Sequence, residues 1–200
     1  MSTEQELQWG GGFGDEYLAR SPGDVAASLA MITQALRGRS IGSAIEFGAG
    51  VGNNLRALQA WRPSIELAAV EVNAEAIKRM PPGPMIFNTS IQQARALGGT
   101  WDLAMTRGLL IHIPPADLEV AYQRIYDASK RFILLAEYYS PAEREIEYRG
   151  QRDMLWARDF AGDMLDAYDN LQLLDYGFVY RRDPVHPQDD VHWFLMEKQG

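Results

Sequence analysis

The sequence predicts an α/β fold in which a mostly parallel sheet carries helices on both faces. Three observations predict it: short apolar runs alternate with helical stretches, a glycine-rich turn follows the first of these runs, and the chain ends in an aromatic hairpin. Strands that alternate with helices imply right-handed βαβ crossovers, which place helices on both faces of a parallel sheet.

Five apolar runs have the length and composition of buried strands. They are Ala44 to Phe47, Leu67 to Val72, Pro84 to Phe87, Leu103 to Met105 and Phe132 to Ala136. Two later runs, Leu171 to Tyr180 and Val191 to Glu197, are rich in aromatic and branched residues and flank a loop of Pro and Asp. This pattern predicts a hairpin at the sheet edge.

Helical periodicity falls between the predicted strands. Ser21-Pro22 has the capping side chain and first-turn proline of a helix start, and apolar residues then recur at helical spacing up to Gly38. The further predicted helices are Leu55 to Trp61, Ala74 to Met80, Ile91 to Leu97, Ala116 to Ala128 and Asp153 to Tyr168.

Composition excludes several classes of protein. The chain has no cysteine, which rules out disulfides, thiolate metal sites and a cysteine nucleophile. Its three histidines lack the spacing of zinc ligands on one helix, so we expect no protein-held metal. A net charge of −8 argues against nucleic-acid binding. The polar N-terminus and the absence of long apolar runs predict a cytoplasmic protein that does not enter membranes.

The most informative segment, Glu46 to Asn54, follows the first strand and reads Glu-Phe-Gly-Ala-Gly-Val-Gly-Asn-Asn. Its glycines let the backbone turn tightly and approach a ligand. A nicotinamide fingerprint would have a further glycine at Asn53, so the match to a dinucleotide site is partial. Glu46 favours a positively charged ligand over a pyrophosphate, which points to a sulfonium such as S-adenosylmethionine.

Two further elements fit a nucleotide cofactor. Glu71 ends the second strand about 20 residues beyond the glycines, where a carboxylate can accept both ribose hydroxyls. Asn88-Thr89-Ser90-Ile91 follows the third strand and places small polar groups where an adenine edge would lie. Because many nucleotide cofactors share this arrangement, it supports the fold more strongly than the ligand.

The fourth element, Trp101 to Ile113, is a strand that runs into a glycine turn and an apolar segment. It resembles the fourth-strand motif of class I S-adenosylmethionine-dependent methyltransferases, and the four elements follow the order of that family. The resemblance implies a Rossmann-like, seven-stranded sheet with an antiparallel last strand, and S-adenosylhomocysteine as product. The cofactor-binding residues predicted from these motifs are Glu46, Gly48, Ala49, Gly50, Gly52, Asn53, Glu71, Val72, Asn73, Ser90, Ile91, Thr106, Arg107 and Gly108.

A narrower resemblance spans Trp9 to Lys198 and is to methylases associated with pseudaminic acid biosynthesis. It is carried by six segments: Trp9 to Tyr17, Glu137 to Pro141, Tyr148 to Gly150, Arg158 to Asp166, Asp175 to Pro184, and Pro187 to Asp190. The resemblance implies a small polar acceptor of the sugar or nonulosonic-acid type. It transfers no catalytic residue.

Acceptor residues are expected in the loops outside the carboxyl ends of the strands. The catalytic candidates are Glu137, Tyr139 and His112, the last matching a histidine common in class I methyltransferases, with a structural role for it left open. The candidates for acceptor binding are Trp9, Phe13, Tyr17, Tyr138, Tyr148, Arg149, Tyr180, Arg181 and Asp190, with Arg152 as a further guanidinium beside Arg149. The stretch from Trp9 to Tyr17 is either a lid over the cofactor or a helical cap on the core.

We expect a single domain of 200 residues, since this length suits one core and is short for two. Within it, residues 1–38 form a cap or lid and the first helix, 39–137 the cofactor-binding core, and 138–200 the acceptor-side elements and hairpin. Three alternatives stay open: S-adenosylmethionine chemistry other than methyl transfer, such as cyclisation; a cofactor-binding protein without catalysis; and a nicotinamide-dependent oxidoreductase. The oligomeric state is not indicated.

Overall fold

A computed structural model describes residues 4–20, 23–95, 97–148 and 154–199. Its strands are β1 (Ser43–Phe47), β2 (Glu66–Glu71), β3 (Met85–Asn88), β4 (Trp101–Arg107), β5 (Ser129–Glu137), β6 (Arg144–Glu145), β7 (Trp156–Ala157), β8 (Leu171–Val179) and β9 (Val191–Lys198). The main sheet has seven strands in the order β3-β2-β1-β4-β5-β9-β8, while β6 and β7 pair separately. Strands β1 to β5 are parallel, and β9 runs antiparallel to both β5 and β8. The predicted seven-stranded, mostly parallel fold with a terminal hairpin is therefore confirmed.

Seven α-helices accompany these strands in the described part of the chain. They are α1 (Glu4–Trp9), α2 (Gly12–Arg20), α3 (Val25–Ala35), α4 (Asn53–Trp61), α5 (Ala74–Lys78), α6 (Leu118–Ala128) and α7 (Phe160–Ala167). Alternate residues of β1 face opposite sides of the sheet: Ala44 packs in a core with α3 and α4, and Ile45 packs in a second core with α6 and α7. Among the described residues, no helix has the length and apolar character needed to cross a membrane.

The helix predicted from Ser21-Pro22 begins later than expected. Helix α3 starts at Val25, and its N-cap is Asp24, whose side chain accepts hydrogen bonds from the backbone N–H groups of Ala26 and Ala27. This cap satisfies two of the orphan donors of the first turn. Ser21 and Pro22 themselves lie outside the described residues.

Two other predicted helices are shorter or absent. Residues 91–95 form turns with i→i+3 bonds and no helix, because the segment before the glycine pair at 98 and 99 is too short to propagate a helical nucleus. The helix predicted over Asp153 to Tyr168 is confined to α7, since Trp156–Ala157 pairs as a strand with Arg144–Glu145. Asp159 caps α7 by accepting from the N–H of Gly162 at 2.8 Å. Asp153 lies outside the described residues.

The third strand was predicted to be buried, and this was wrong for β3. Met85 is 60% exposed and Ile86 39%, because β3 is the outer strand of the sheet. An apolar run at a sheet edge has the same residue composition as a buried central strand, so the sequence pattern alone does not distinguish the two.

Candidate functional site

A cavity of about 550 Å³ opens where the parallel strands end at their carboxyl termini. This volume lies in the range of roughly 300–1,000 Å³ that small-molecule sites occupy. Its walls come from the segments after β1, β2, β3 and β4, from Tyr138 after β5, and from α1 and α2. The cavity thus lies at the position where doubly wound sheets bind ligands.

The glycine turn after β1 forms the floor of the cavity. Gly48 has a φ of 70° and Gly50 a φ of 54°, a region that side-chain-bearing residues rarely adopt. A Cβ on Gly48 would lie 2.8 Å from the Cδ1 of Leu109, whereas one on Gly50 would meet no atom within 4 Å. The turn therefore packs closely against Leu109, in the loop after β4, and leaves open space at Gly50.

Glu46 places a buried carboxylate at the cavity. Its Oε1 accepts a hydrogen bond from Asn54 Nδ2 at 2.6 Å, while Oε2 is buried and has no hydrogen-bond partner among the described residues. Burial raises the pKa of Glu46 to about 8, against the lowering effects of the Asn54 bond and the charge of Arg107. A cationic group beside Oε2 would supply the missing partner and favour the ionised form.

Glu71, at the end of β2, is held by backbone donors. Its Oε2 accepts from the N–H of Gly50 at 2.7 Å and its Oε1 accepts from the N–H of Asn73 at 2.8 Å. Burial nevertheless raises the pKa of this carboxyl above its usual value. Each carboxylate oxygen can accept a second bond, so the group is fixed in place and can still receive two hydroxyl donors.

Arg107 connects three parts of the cavity wall. Its Nη1 donates to Ser28 Oγ at 2.7 Å and to Asn54 Oδ1 at 3.0 Å, and its Nη2 donates to Gln188 Oε1. Burial lowers its pKa, and the neighbouring charge of Glu46 opposes that effect. The guanidinium thus fastens α3 and the hairpin loop to the end of β4 and stands beside Glu46.

His112 lines the cavity and is half-buried. Its Nδ1 lies 2.9 Å from the carbonyl oxygen of Met154, and its ring centroid is 4.5 Å from that of Trp9 and 5.8 Å from that of Tyr148. Burial lowers the pKa of His112 to about 4. The ring is therefore neutral near pH 7.

The other two catalytic candidates, Glu137 and Tyr139, lie outside the lining of this cavity. The carboxylate of Glu137 accepts hydrogen bonds from the backbone N–H groups of Leu109 at 3.2 Å and Ile111 at 3.4 Å, and burial raises its pKa to about 7. Tyr139 is 38% exposed and its ring faces Phe194 and His192. Neither side chain is part of the cavity wall, and a catalytic role for either stays a prediction.

Most of the predicted cofactor residues line the cavity. Two of them do not: Gly52, which is the N-cap of α4, and Thr106, which is fully buried in β4. Those in the lining are Glu46, Gly48, Ala49, Gly50, Asn53, Glu71, Val72, Asn73, Ser90, Ile91, Arg107 and Gly108.

The acceptor candidates divide into two groups. Trp9, Tyr17, Tyr138 and Tyr148 line the cavity. Phe13 is not in the lining but packs edge-on against Trp9 at 5.1 Å and lies 6.2 Å from Tyr148, centroid to centroid. The segment from Trp9 to Tyr17 forms the end of α1 and most of α2, and it packs over the cavity.

The candidates in the hairpin loop lie away from the cavity. Asp190 accepts from the N–H of Arg181 at 3.0 Å and pairs with its guanidinium at 3.5 Å, so these two residues close their own turn. Tyr180 is 43% exposed and packs on Phe178. Asp189, rather than Asp190, lines the cavity. Arg149 and Arg152 lie outside the described residues.

Sequence reasoning missed three residues that build the site. Asn54 binds both Glu46 and Arg107, and Ser28 and Gln188 complete the ring of acceptors around that arginine. Asn54 lies within the glycine motif, in the first turn of α4, and that position could have identified it as a residue of the site. Ser28 and Gln188 carry no signal in one sequence, because their bonds to Arg107 span 79 and 81 positions.

The site fits S-adenosylmethionine by its donor set. A buried carboxylate oxygen of Glu46 lacks a partner, a second carboxylate is fixed for a ribose, and open space lies at Gly50 between them. Neither carboxyl group can offer a positive charge to a pyrophosphate, and each would repel it when ionised. The fold and this cavity together define a class I methyltransferase.

Comparison with known proteins gives the family. Residues 19–174 match the family described as Methyltransferase domain, and the chain belongs to it. It is an S-adenosylmethionine-dependent methyltransferase, as predicted, and not a nicotinamide-dependent oxidoreductase. No curated protein matches the chain.

Solved structures with this fold include three methyltransferases. Magnesium protoporphyrin IX methyltransferase from Synechocystis PCC 6803, with bound S-adenosylhomocysteine, is 12% identical over 96% of this chain and 96% of its own, with a TM-score of 0.67. The 1,6-didemethyltoxoflavin-N1-methyltransferase of Burkholderia thailandensis is 16% identical over 94% and 84%, with a TM-score of 0.68. An S-adenosylmethionine-dependent methyltransferase from Clostridium acetobutylicum ATCC 824 is 12% identical over 94% and 98%, with a TM-score of 0.66. Identities this low show a common fold.

Proposed function

We propose that this enzyme transfers a methyl group from S-adenosylmethionine to a small polar acceptor of the sugar or nonulosonic-acid type. The unpartnered Oε2 of Glu46 carries the proposal, because it is a buried acceptor at the cavity that requires a cation or a hydrogen-bond donor. The narrower sequence resemblance supports the class of acceptor. A cavity of about 550 Å³ supports an acceptor of small size, since the cofactor must share it.

The residues divide into a cofactor side and an acceptor side. Glu46 takes the cofactor's ammonium group and the neighbouring Arg107 its carboxylate, while Glu71 accepts the ribose hydroxyls. Ser90 and Ile91 flank the adenine. Bound S-adenosylmethionine supplies an electrophilic methyl group on a positively charged sulfur.

On the acceptor side, Trp9, Tyr17, Tyr138 and Tyr148 form an aromatic wall that excludes water and presents phenol groups to polar substituents. His112 orients the acceptor hydroxyl and receives its proton. A base as weak as this imidazole is sufficient, because methylation of the hydroxyl oxygen gives a protonated ether, and that proton is strongly acidic. Most of the rate then comes from holding the reacting atoms in line.

Glu137 has a positioning role in this scheme. Its carboxylate binds the backbone of the turn at Leu109 and Ile111, which leads directly into His112. The phenol of Tyr139 faces the hairpin side of the sheet and takes no part in the transfer.

Ligand-induced stabilisation tests cofactor binding. At a ligand concentration about a hundred times Kd, mass action adds about 2.7 kcal/mol of stability, which raises Tm by several degrees for a chain of this size. We expect stabilisation by S-adenosylhomocysteine and none by nicotinamide dinucleotides. The reverse result would remove the basis for the cofactor site.

Mass spectrometry tests the acceptor. Nonulosonic acids and nucleotide sugars are incubated with the enzyme and S-adenosylmethionine below saturation, with Gly50→Ala as the control in which cofactor binding is weakened. The expected product is one acceptor heavier by a methylene unit, formed together with S-adenosylhomocysteine. Consumption of the cofactor without a methylated product would instead indicate cyclisation or another reaction of the sulfonium.

A further inference from the structure

Asn73, the second residue after β2 and the N-cap of α5, makes hydrogen bonds in three directions. Its backbone N–H donates to Glu71 Oε1 at 2.8 Å, and its Oδ1 accepts from the N–H of Ala76 at 2.8 Å and caps α5. Its Nδ2 donates to the carbonyl oxygen of Trp9 and to Asp15 Oδ1, both at 3.0 Å. A residue only 4% exposed thus joins the Glu71 carboxylate, the start of α5 and the α1–α2 hairpin.

Gly14 lies where the α1–α2 hairpin (residues 4–20) packs tightly, both on its own backbone and against Asn73. A Cβ on Gly14 would lie 2.1 Å from the carbonyl oxygen of Trp9 and 2.7 Å from Asn73 Nδ2. Both distances are far below ordinary contact, so a side chain at position 14 must shift α2 relative to α1 and disturb the contact with the Asn73 amide. A Cβ on Gly12, in the same helix, would meet nothing within 4 Å.

The hairpin that Asn73 holds also supplies part of the acceptor side of the cavity. Trp9 and Tyr17 both line the cavity, and the Trp9 ring lies against His112. A shift of the hairpin therefore changes the distance between the aromatic wall and the imidazole. Asn73 also lines the cavity, two residues after Glu71.

We propose that Asn73 is a positioning residue: its side-chain amide fastens the α1–α2 hairpin over the cavity and couples cofactor occupancy to the shape of the acceptor side. The coupling rests on the proposed function, which assigns Glu71 to the cofactor ribose. Hydroxyl donors on Glu71 fix the segment from Glu71 to Asn73 and with it the direction of the amide. By linkage, the factor by which bound cofactor favours the closed hairpin equals the factor by which the closed hairpin strengthens cofactor binding.

Hydrogen–deuterium exchange of residues 4–20 in the full chain, with and without saturating S-adenosylhomocysteine, measures this coupling. Asn73→Asp keeps the acceptor that caps α5, because aspartate is an equally good N-cap, but it turns the two donated bonds into repulsive contacts. We expect exchange of the hairpin to become about ten-fold faster and its protection by the ligand to be lost.

Two matched comparisons separate this role from a general loss of structure. In Asn73→Asp combined with Asp15→Asn, the donor and acceptor of the pair with residue 15 are exchanged, while the bond to the Trp9 carbonyl oxygen stays lost. We therefore expect hairpin exchange to be slower than in Asn73→Asp alone and still faster than in the unaltered protein. Gly14→Ala should accelerate hairpin exchange as Asn73→Asp does, whereas Gly12→Ala should leave it equal or slower, since alanine favours helix.

The proposal is overturned if Asn73→Asp leaves hairpin exchange unchanged, or if the double substitution exchanges as fast as Asn73→Asp alone while α5 exchanges normally. The comparison of hairpin exchange between the unaltered protein and its variants without ligand does not depend on cofactor binding. If S-adenosylhomocysteine fails to bind the unaltered protein, the proposed function fails, and the ligand-free exchange still decides whether Asn73 holds the hairpin.

Discussion

The Nδ1 nitrogen of His112 lies 2.9 Å from the carbonyl oxygen of Met154. Because a carbonyl oxygen only accepts hydrogen bonds, Nδ1 carries the proton of the neutral ring and Nε2 is the basic nitrogen. Met154 belongs to the acceptor-side elements (residues 138–200), so this bond ties the tautomer of His112 to the placement of that part of the chain. Among the predicted catalytic residues, His112 alone lines the cavity.

Substitution of His112 tests its part in proton transfer. His112→Asn retains an N–H near the position of Nδ1, and so can still donate to Met154, but it removes the Nε2 acceptor. With the acceptor identified by mass spectrometry, we expect kcat to fall by about 10² to 10⁴ and the Kd of S-adenosylhomocysteine to change by less than about three-fold. A variant with full kcat would exclude His112 as the proton acceptor.

The pH dependence of kcat distinguishes His112 from Glu137 as the group that must be unprotonated. The pKa of His112 is lowered to about 4, and that of Glu137 is raised to about 7. A base is lost when it is protonated, so activity that depends on His112 declines only as pH falls toward 4. Activity that depends on Glu137 would decline already below pH 7. We expect a flat kcat from pH 6 to 8, and a decline centred near 7 would favour Glu137 instead.

Glu137 contributes to the pH dependence of stability. Its folded-state pKa is raised from 4.5 to about 7, so the folded state holds a proton that the unfolded chain has released. The stability contributed by this group is therefore complete below pH 4.5 and is lost as pH rises through 7. From pH 5 to 8 the loss amounts to roughly 3 kcal/mol at most.

Urea unfolding at pH 5 and pH 8 measures this effect. Glu137→Gln cannot ionise, so its free energy of unfolding should fall less over this interval than that of the unaltered protein. The comparison uses the change with pH rather than absolute stability, because glutamine also loses one acceptor for the backbone of Leu109 or Ile111. Equal losses in both proteins would show that Glu137 titrates normally.

Alanine substitutions at two glycines with similar backbone conformation distinguish the effect of backbone strain from the effect of lost cavity space. Gly50 has a φ of 54° and lines the cavity, and Gly38 has a φ of 74° after α3; a Cβ on either meets no protein atom within 4 Å. Alanine at each position should cost about 1–2 kcal/mol of stability. Only Gly50→Ala should weaken binding of S-adenosylhomocysteine, by ten-fold or more, as measured by titration calorimetry. Equal effects on binding would show that the Gly50 turn does not contact the ligand.

The sequence was most informative where function and local backbone geometry coincide. Gly48, Gly50, Glu46 and Glu71 could be located because a strand, a glycine turn and an acidic strand end follow one another at characteristic spacings. Each of these residues lines the cavity in the structure. The order of strands and helices followed from periodicity in the same way.

The sequence was least informative where a residue acts through distant partners. Nothing local distinguishes Asp190, which closes its own turn with Arg181, from its neighbour Asp189, which lines the cavity. The strand end at Glu137 suggested a base, but the N–H groups that bind its carboxylate belong to a loop 28 positions earlier. Such roles depend on tertiary contacts that no residue pattern encodes.

Calorimetric titration with S-adenosylhomocysteine at pH 7, in buffers of different ionisation enthalpy, tests the cation-binding role of Glu46 most directly. Burial raises the pKa of Glu46 to about 8, so the carboxyl is mostly protonated at pH 7 without ligand, and the ligand's ammonium should displace most of that proton. Affinity should then rise with pH between 6 and 8, and Glu46→Gln should bind more weakly and release no proton. Equal affinity and no proton release in both proteins would contradict the assignment.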